Sequence, residues 1–260
     1  MKKFIAVFRI LFQDNLNYRA QAFVWILTSV VPTITSGAVW LAAIGNGQLG
    51  DFDRSNIILY FLGSLALSNL VTSSIAWDMG MEIKQGKLSL YLVKPLSYPG
   101  YQFLYNLAWR IFRSLLFIPV LAVLVLILNS YVNWGTLHLG LYFWMAVLLA
   151  HLLSFSISFF IGSWALFLED MMGISEFFMM ANWLLGGSIA PIALMPGVLR
   201  SFALNAPFRY TLSYPIEVML GQTPADISHF LVGTLWLGLF AILGALVWIN
   251  GIKRYSAVGN

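Results

Sequence analysis

The stretch GMEIKQGKLS, residues 80–89, comes nearest in this chain to a chemical motif. A phosphate-cradling loop reads G-x-x-x-x-G-K-[ST]. Its backbone N–H groups surround the phosphates, its lysine reaches them and its hydroxyl meets the metal. Gly86-Lys87 supplies the GK pair, but the spacing then fails. The first glycine would have to stand at 81, which is Met81, and Gly80 is one place early. Leu88 follows Lys87, so the hydroxyl is missing, and Ser89 comes one place late. Pro95 arrives too soon for a helix that could receive such a loop. The chain itself is therefore expected to hold no ATP, metal or other cofactor.

Other reactive patterns are thinner still. His138, His151 and His229 stand far apart, with no H-E-x-x-H spacing for a metal. SFSIS at 154–158 lacks the glycines of a nucleophile elbow and has no evident partner base. Glu169-Asp170 could be drawn as an acid/base pair. Adjacent helical residues point in different directions, however, so the pair reads as a solvated turn or a partner contact. An intramembrane enzyme would have to rest on His151 or Glu169.

The elements that must position these residues lie in lipid. The chain has 260 residues, 60% apolar and only 9% charged, and a mean hydropathy of +0.83. Soluble domains carry about 25% charged residues. There is no cysteine, which excludes disulfides and thiolate sites. The net charge of +4 comes from residues flanking apolar runs and not from a patch, so it reads as topology and not as a nucleic-acid surface.

A spanning helix needs about 20 mostly apolar residues. The charge-free runs, with NSYVNWGTLH at 129–138 taken as an extramembrane turn, predict six spans: 21–44, 56–77, 107–129, 139–167, 174–192 and 228–250. The first apolar run is too long for a cleavable signal core and reads as a retained span. With both termini inside, eleven cations lie on inner segments: Lys2, Lys3, Arg9, Arg19, Lys84, Lys87, Lys94, Arg110, Arg113, Lys253 and Arg254. Only Arg54, Arg200 and Arg209 lie outside. The expectation is an all-α integral membrane protein, N-in and C-in.

Residues 1–19 carry Phe4, Phe8, Leu11 and Phe12 at helical spacing and predict an interfacial amphipathic helix. Residues 193–227 carry Pro196, Pro207, Pro215 and Pro224 and predict short helices and turns re-entering the outer leaflet. Arg110 and Arg113 near the inner end of the third span are expected to snorkel to the headgroups. No ionisable group is expected at mid-membrane depth, which argues against an ion-driven carrier. Small or hydroxylated residues recur every four positions: Ser64, Ser68 and Thr72; Ser154, Ser158 and Gly162; Thr28, Pro32 and Ser36. Such stripes serve close helix packing or line a mildly polar path, and Asn182 with Gly186 carries the same ambiguity.

The loop at 78–98 has an apolar stripe of Met79, Ile83, Leu90 and Val93, interrupted at Gly86, with Asp78, Glu82, Lys84 and Lys87 around it. It predicts a short helix in the interface that ends at Lys94-Pro95. Tyr98, Tyr101 and Tyr105 follow as an aromatic anchor.

At these residues the chain resembles a family, the permease subunits of bacterial type-2 ABC exporters, and within it the subgroup that works with daunorubicin-type ATPases. GMEIKQGKLSLYLVKPLSYPGYQF is similar to a family loop E-I-x-x-G-x-L-x-x-Y-L-x-x-P-L-S through Glu82, Ile83, Gly86, Leu88, Tyr91, Leu92, Pro95, Leu96 and Ser97. A second stretch resembles the family's outer segment through Gly187, Pro191, Pro196, Pro207, Phe208, Tyr210, Pro215, Glu217 and Gly221. The resemblance implies a single transmembrane permease domain in the bacterial cytoplasmic membrane, facing a second permease, identical or paralogous. Two ABC ATPase subunits beneath would bind ATP and Mg2+. Glu82, Ile83, Lys84, Gly86, Lys87 and Leu90 would dock the motor, and Pro191, Pro196, Pro207 and Phe208 would form an outer gate. Thr28, Ser64, Ser68, Thr72 and Asn182 would line a path for an amphiphilic substrate. A non-transporting membrane scaffold is the alternative, and an intramembrane enzyme the third reading.

Overall fold

The computed structural model describes residues 2–168, 170–223 and 226–255. Glu169 and Pro224, which the sequence singled out, lie outside them. The architecture is helical, with no strand longer than one Leu49–Phe52 bridge among the described residues. Twelve α-helices follow in order: α1 Lys2–Asn17, α2 Arg19–Ile44, α3 Arg54–Val71, α4 Ile75–Lys84, α5 Leu88–Leu92, α6 Tyr98–Leu128, α7 Leu141–Ser163, α8 Met172–Leu185, α9 Gly197–Asn205, α10 Pro207–Thr211, α11 Ser213–Met219 and α12 Ile227–Ile252.

Among the described residues, five segments are long and apolar enough to cross a membrane: Arg19–Ile44, Arg54–Lys84, Tyr98–Tyr131, Leu141–Leu166 and Ile227–Ile252. The predicted span at 174–192 is different. Its helix, α8, has 14 residues, about 21 Å at 1.5 Å per residue, short of a core about 30 Å thick. It ends because Gly187 takes φ +88° and Ser188 N–H bonds back to Trp183 O at 3.2 Å, a left-handed cap. The predicted span at 56–77 is also interrupted, since residues 72–74 separate α3 from α4. The turn predicted at 129–138 is present as two short 3-10 turns, Asn129–Tyr131 and Trp134–Thr136.

Local sequence explains where the helices start. Asp53 accepts the Asn56 N–H at 2.7 Å and opens α3, and Asp226 accepts the Ser228 and His229 N–H groups at the start of α12. Pro99 and Pro207 sit in first turns, where a missing N–H costs nothing.

The helices α3 and α7 form the centre and are buried along most of their length, while α2, α6 and α12 leave long apolar faces exposed. The core runs through Tyr60, Leu153, Ile157, Tyr214 and Ile216. α12 lies alongside α7 through glycines. A Cβ at Gly233 would meet Leu149 and Tyr210, and one at Gly244 would meet Phe159 and Phe160. α1 packs on α6 through Phe8, Leu11 and Phe12 against Leu104 and Ala108, while Phe4 stays half exposed.

Candidate functional site

The loop at 78–98 is a hairpin of α4 and α5 around Gly86. Gly86 adopts φ +70°. Its N–H bonds to Ile83 O at 3.0 Å and the Lys87 N–H bonds to Glu82 O at 2.9 Å. These two bonds make a Schellman cap, so the glycine ends one helix and turns the chain into the next. The apolar stripe read from the sequence therefore splits. Met79, Ile83 and Leu88 are buried with Tyr98, Phe159 and Trp248, whereas Leu90 and Val93 are exposed.

The six residues named for docking part company in the same way. Glu82 turns inward: its Oε2 accepts from Tyr98 Oη at 2.6 Å and from Gln102 Nε2 at 2.9 Å. With buried Ile83 it ties the hairpin to α6 instead of facing outward. Lys84, Lys87 and Leu90 face out, and Lys84 Nζ lies 3.9 Å from Asp170. Tyr98 is buried and stacked on Trp248 at 4.8 Å, not an interfacial anchor as the sequence suggested. Replacing Gly86 by Ala puts a Cβ in left-handed backbone and is expected to cost about 1–2 kcal/mol locally. Hydrogen exchange across 83–92 should accelerate by roughly 5–30-fold, and less for Gly86→Asn, which tolerates that conformation.

The break at 72–74 joins this hairpin to the bundle. An interrupted helix at membrane depth leaves backbone groups that lipid cannot satisfy. One face of α7 satisfies several of them. Ser154 Oγ accepts the Ser73 N–H at 2.8 Å and Ser158 Oγ accepts the Ala76 N–H at 3.0 Å. His151 Nδ1 lies 3.2 Å from Leu70 O. Gly162 lets Ala76 and Met79 come close. The Ser154–Ser158–Gly162 stripe thus caps a broken helix, a role the sequence reading did not consider. His151 serves the same backbone, and Asp170 accepts the Met172 N–H at 2.8 Å.

Arg110 points at this break and corrects the snorkelling expectation. It is 2% exposed, with Nη2 3.2 Å from Ser74 Oγ. An ionisable group is therefore buried among α3, α4 and α6. Arg113 donates to Trp25 O at 3.0 Å.

The proposed path residues do not form one surface within the chain. Ser64 is buried, and Ser68 and Thr72 are half-buried. Thr28 is exposed, two residues from both Ile26 and Val30, which face the core. It lies about 200° round the helix from them. Pro32 lacks an N–H, so the Thr28 carbonyl loses its helical donor on that exposed face. Asn182 Oδ1 accepts from Thr211 Oγ1 at 2.9 Å, tying α8 to the outer segment.

The proline-rich segment that the sequence placed outside is knit together. Phe208 packs on Phe178, Pro191 is buried, Pro196 precedes α9 and Pro207 opens α10. Tyr60 Oη donates to Gly187 O at 2.8 Å, Trp40 Nε1 to Ile189 O at 3.0 Å, and the His138 N–H to Met219 O at 2.8 Å. At its centre Arg209 Nη2 meets Glu217 Oε2 at 2.6 Å, and Ser213 and Thr223 also donate to that carboxylate. Burial alone would raise the Glu217 carboxyl. The Arg209 charge and these hydrogen bonds outweigh burial and hold it below its ordinary value. The sequence showed both residues but not their pairing, which joins two separate helices.

No curated protein matches the chain. A family model described as ABC-2 family transporter protein matches residues 22–259, which takes in the hairpin, the capped break and the outer segment. With nearly the whole chain matched and, among the described residues, five apolar segments long enough to cross a bilayer, this multi-pass membrane protein is a transport permease that belongs to the ABC-2 transporter family.

Proposed function

We propose that this chain is the membrane subunit of an ATP-driven exporter of the daunorubicin-type subgroup, in a bacterial cytoplasmic membrane. It faces a second permease, identical or paralogous, and rests on two ABC ATPases that carry ATP and Mg2+. Both termini lie inside, with α8 and its following turn completing a sixth passage. The observation that carries this reading is the hairpin. Glu82, Ile83 and Leu88 lock it to the bundle, while Lys84, Lys87, Leu90 and Val93 stand outside. A lever that receives force needs such an arrangement: a rigid root and an exposed contact face.

ATP-driven closure of the motor would push α4, and the capped break would pass that push to α3. The outer segment is the gate. The path lies between the two permeases, and the exposed face of α2 with Thr28 contributes to it. Ser64 is enclosed in the chain and supports that wall from behind. The path carries an amphiphilic substrate.

The experiment is co-purification with the ATPase after Lys84→Glu and Lys87→Glu together. Complex yield and stimulated ATP turnover should each fall about tenfold or more. Unchanged yield and turnover would remove the docking role. A non-transporting scaffold would instead bind a partner without any substrate-stimulated turnover in the intact complex.

A further inference from the structure

A cavity of about 380 Å³ opens at the docking-loop end of the bundle, between α4, the α7–α8 turn, the start of α8 and the end of α12. The reading of the hairpin as a motor contact shares Lys84 with its lining and leaves the rest of the cavity unused. Its volume suits a small-molecule group and not a whole lipid.

Its walls combine two chemistries. Lys84 and Arg254 contribute cations and Asp170 one carboxylate, so the described lining carries a net charge of +1. Lys84 and Asp170 are each more than half exposed at 3.9 Å, and such a pair holds its partners weakly. The Arg254 guanidinium lies 5.5 Å over the Phe167 ring, which orients it. Ser175 Oγ and Tyr255 Oη are buried hydroxyls of lining residues with no hydrogen-bond partner among the described residues, and Ser175 is 8% exposed. Buried hydroxyls are normally paired. One ammonium, one guanidinium and two hydroxyls unpaired among the described residues together fit an acceptor-only group such as a phosphodiester.

The rim is apolar. Trp77, Phe167, Leu168 and Met172 are all large and more than a third exposed. A free ion would leave these side chains as they are, whereas the glycerol and first methylenes of a lipid would cover them. Clustered cations at the membrane end of spanning helices also attract anionic headgroups.

We propose that this cavity binds the phosphate headgroup of an anionic glycerophospholipid from the adjoining leaflet. The bound lipid bridges α4 to the ends of α8 and α12 and stiffens the base of the hairpin. The inference does not depend on transport, and its test contains no transport or ATPase readout.

The test is native mass spectrometry of the purified chain with phosphatidylglycerol, with phosphatidylcholine of the same acyl chains, and with inorganic phosphate. Phosphatidylglycerol should remain bound, phosphatidylcholine should bind at least about fivefold less, and millimolar phosphate should not displace the lipid. Lys84→Gln with Arg254→Gln should weaken phosphatidylglycerol binding by about tenfold or more. Lys84→Arg with Arg254→Lys should keep it. Lys3→Gln with Arg19→Gln removes two exposed cations elsewhere and should leave it unchanged. Equal binding of both lipids, equal losses in the two glutamine pairs, retained binding in Lys84→Gln/Arg254→Gln, or displacement by phosphate would each overturn the proposal. The last outcome would mark a site for a free ion.

Discussion

Glu217→Gln should destabilise the outer segment by about 3–5 kcal/mol, because it leaves the Arg209 guanidinium buried without a counter-charge. The Arg209 and Glu217 side chains are 7% and 12% exposed, so water screens little of the loss. Glu217 also receives bonds from Ser213 and Thr223, and the glutamine can accept only part of this set. Removing both charges together, Arg209→Met with Glu217→Leu, should cost less than Glu217→Gln alone. Ion pairs replaced by apolar groups of similar size are often neutral. Thermal unfolding in detergent and hydrogen exchange across 207–223 read both variants. Equal costs for the single and the double change would show that the ion pair is incidental.

The pH dependence follows from the same pair. The folded Glu217 carboxyl lies below its ordinary value of 4.5. A depressed carboxylate contributes stability that is present above the unfolded value and lost as pH falls through the folded one. The wild-type outer segment should therefore keep this contribution across neutral pH and lose it only in acid. Glu217→Gln should lack that acid transition.

Ser154→Ala together with Ser158→Ala carries the second large effect. It strips the acceptors from the Ser73 and Ala76 N–H groups at the break. A buried donor left unpaired costs about 1–3 kcal/mol, and no water in the bilayer core replaces the partner. The pair should cost about 2–6 kcal/mol on that basis, read by resistance to unfolding in mixed micelles and by exchange at 73–78. Ser156→Ala is the control, since Ser156 donates to Leu152 O in its own helix. If the double change behaves like this control, α7 does not hold the break together.

Both effects fall where sequence and structure part. The stripe of Ser154, Ser158 and Gly162 was visible by spacing, but packing and capping share the same spacing. Its partner is a break in α3, and no glycine or proline marks residues 72–74. At the break α7 offers hydroxyls where an unbroken helix would bond to itself. The end of α8 was more legible. Gly186-Gly187 followed by Pro191 is a stop signal, overridden in the reading by the apolar run around it.

What the sequence determined by itself was the membrane character, five segments long and apolar enough to span, the helical leader and the short helices of the proline-rich segment. Bilayer thickness and hydrophobic periodicity act residue by residue along the chain, so composition alone reports them. Failure of the phosphate-loop spacing at Met81 and Leu88 was legible for the same reason. Only the tertiary structure decided that Glu82 faces inward while Lys84 and Lys87 face out, that Arg110 is buried on the break, and that Arg209 meets Glu217. Those outcomes depend on which donor finds which acceptor across separate helices. A one-dimensional pattern holds no record of that choice, because the energy of each pair arises only once packing has brought it together.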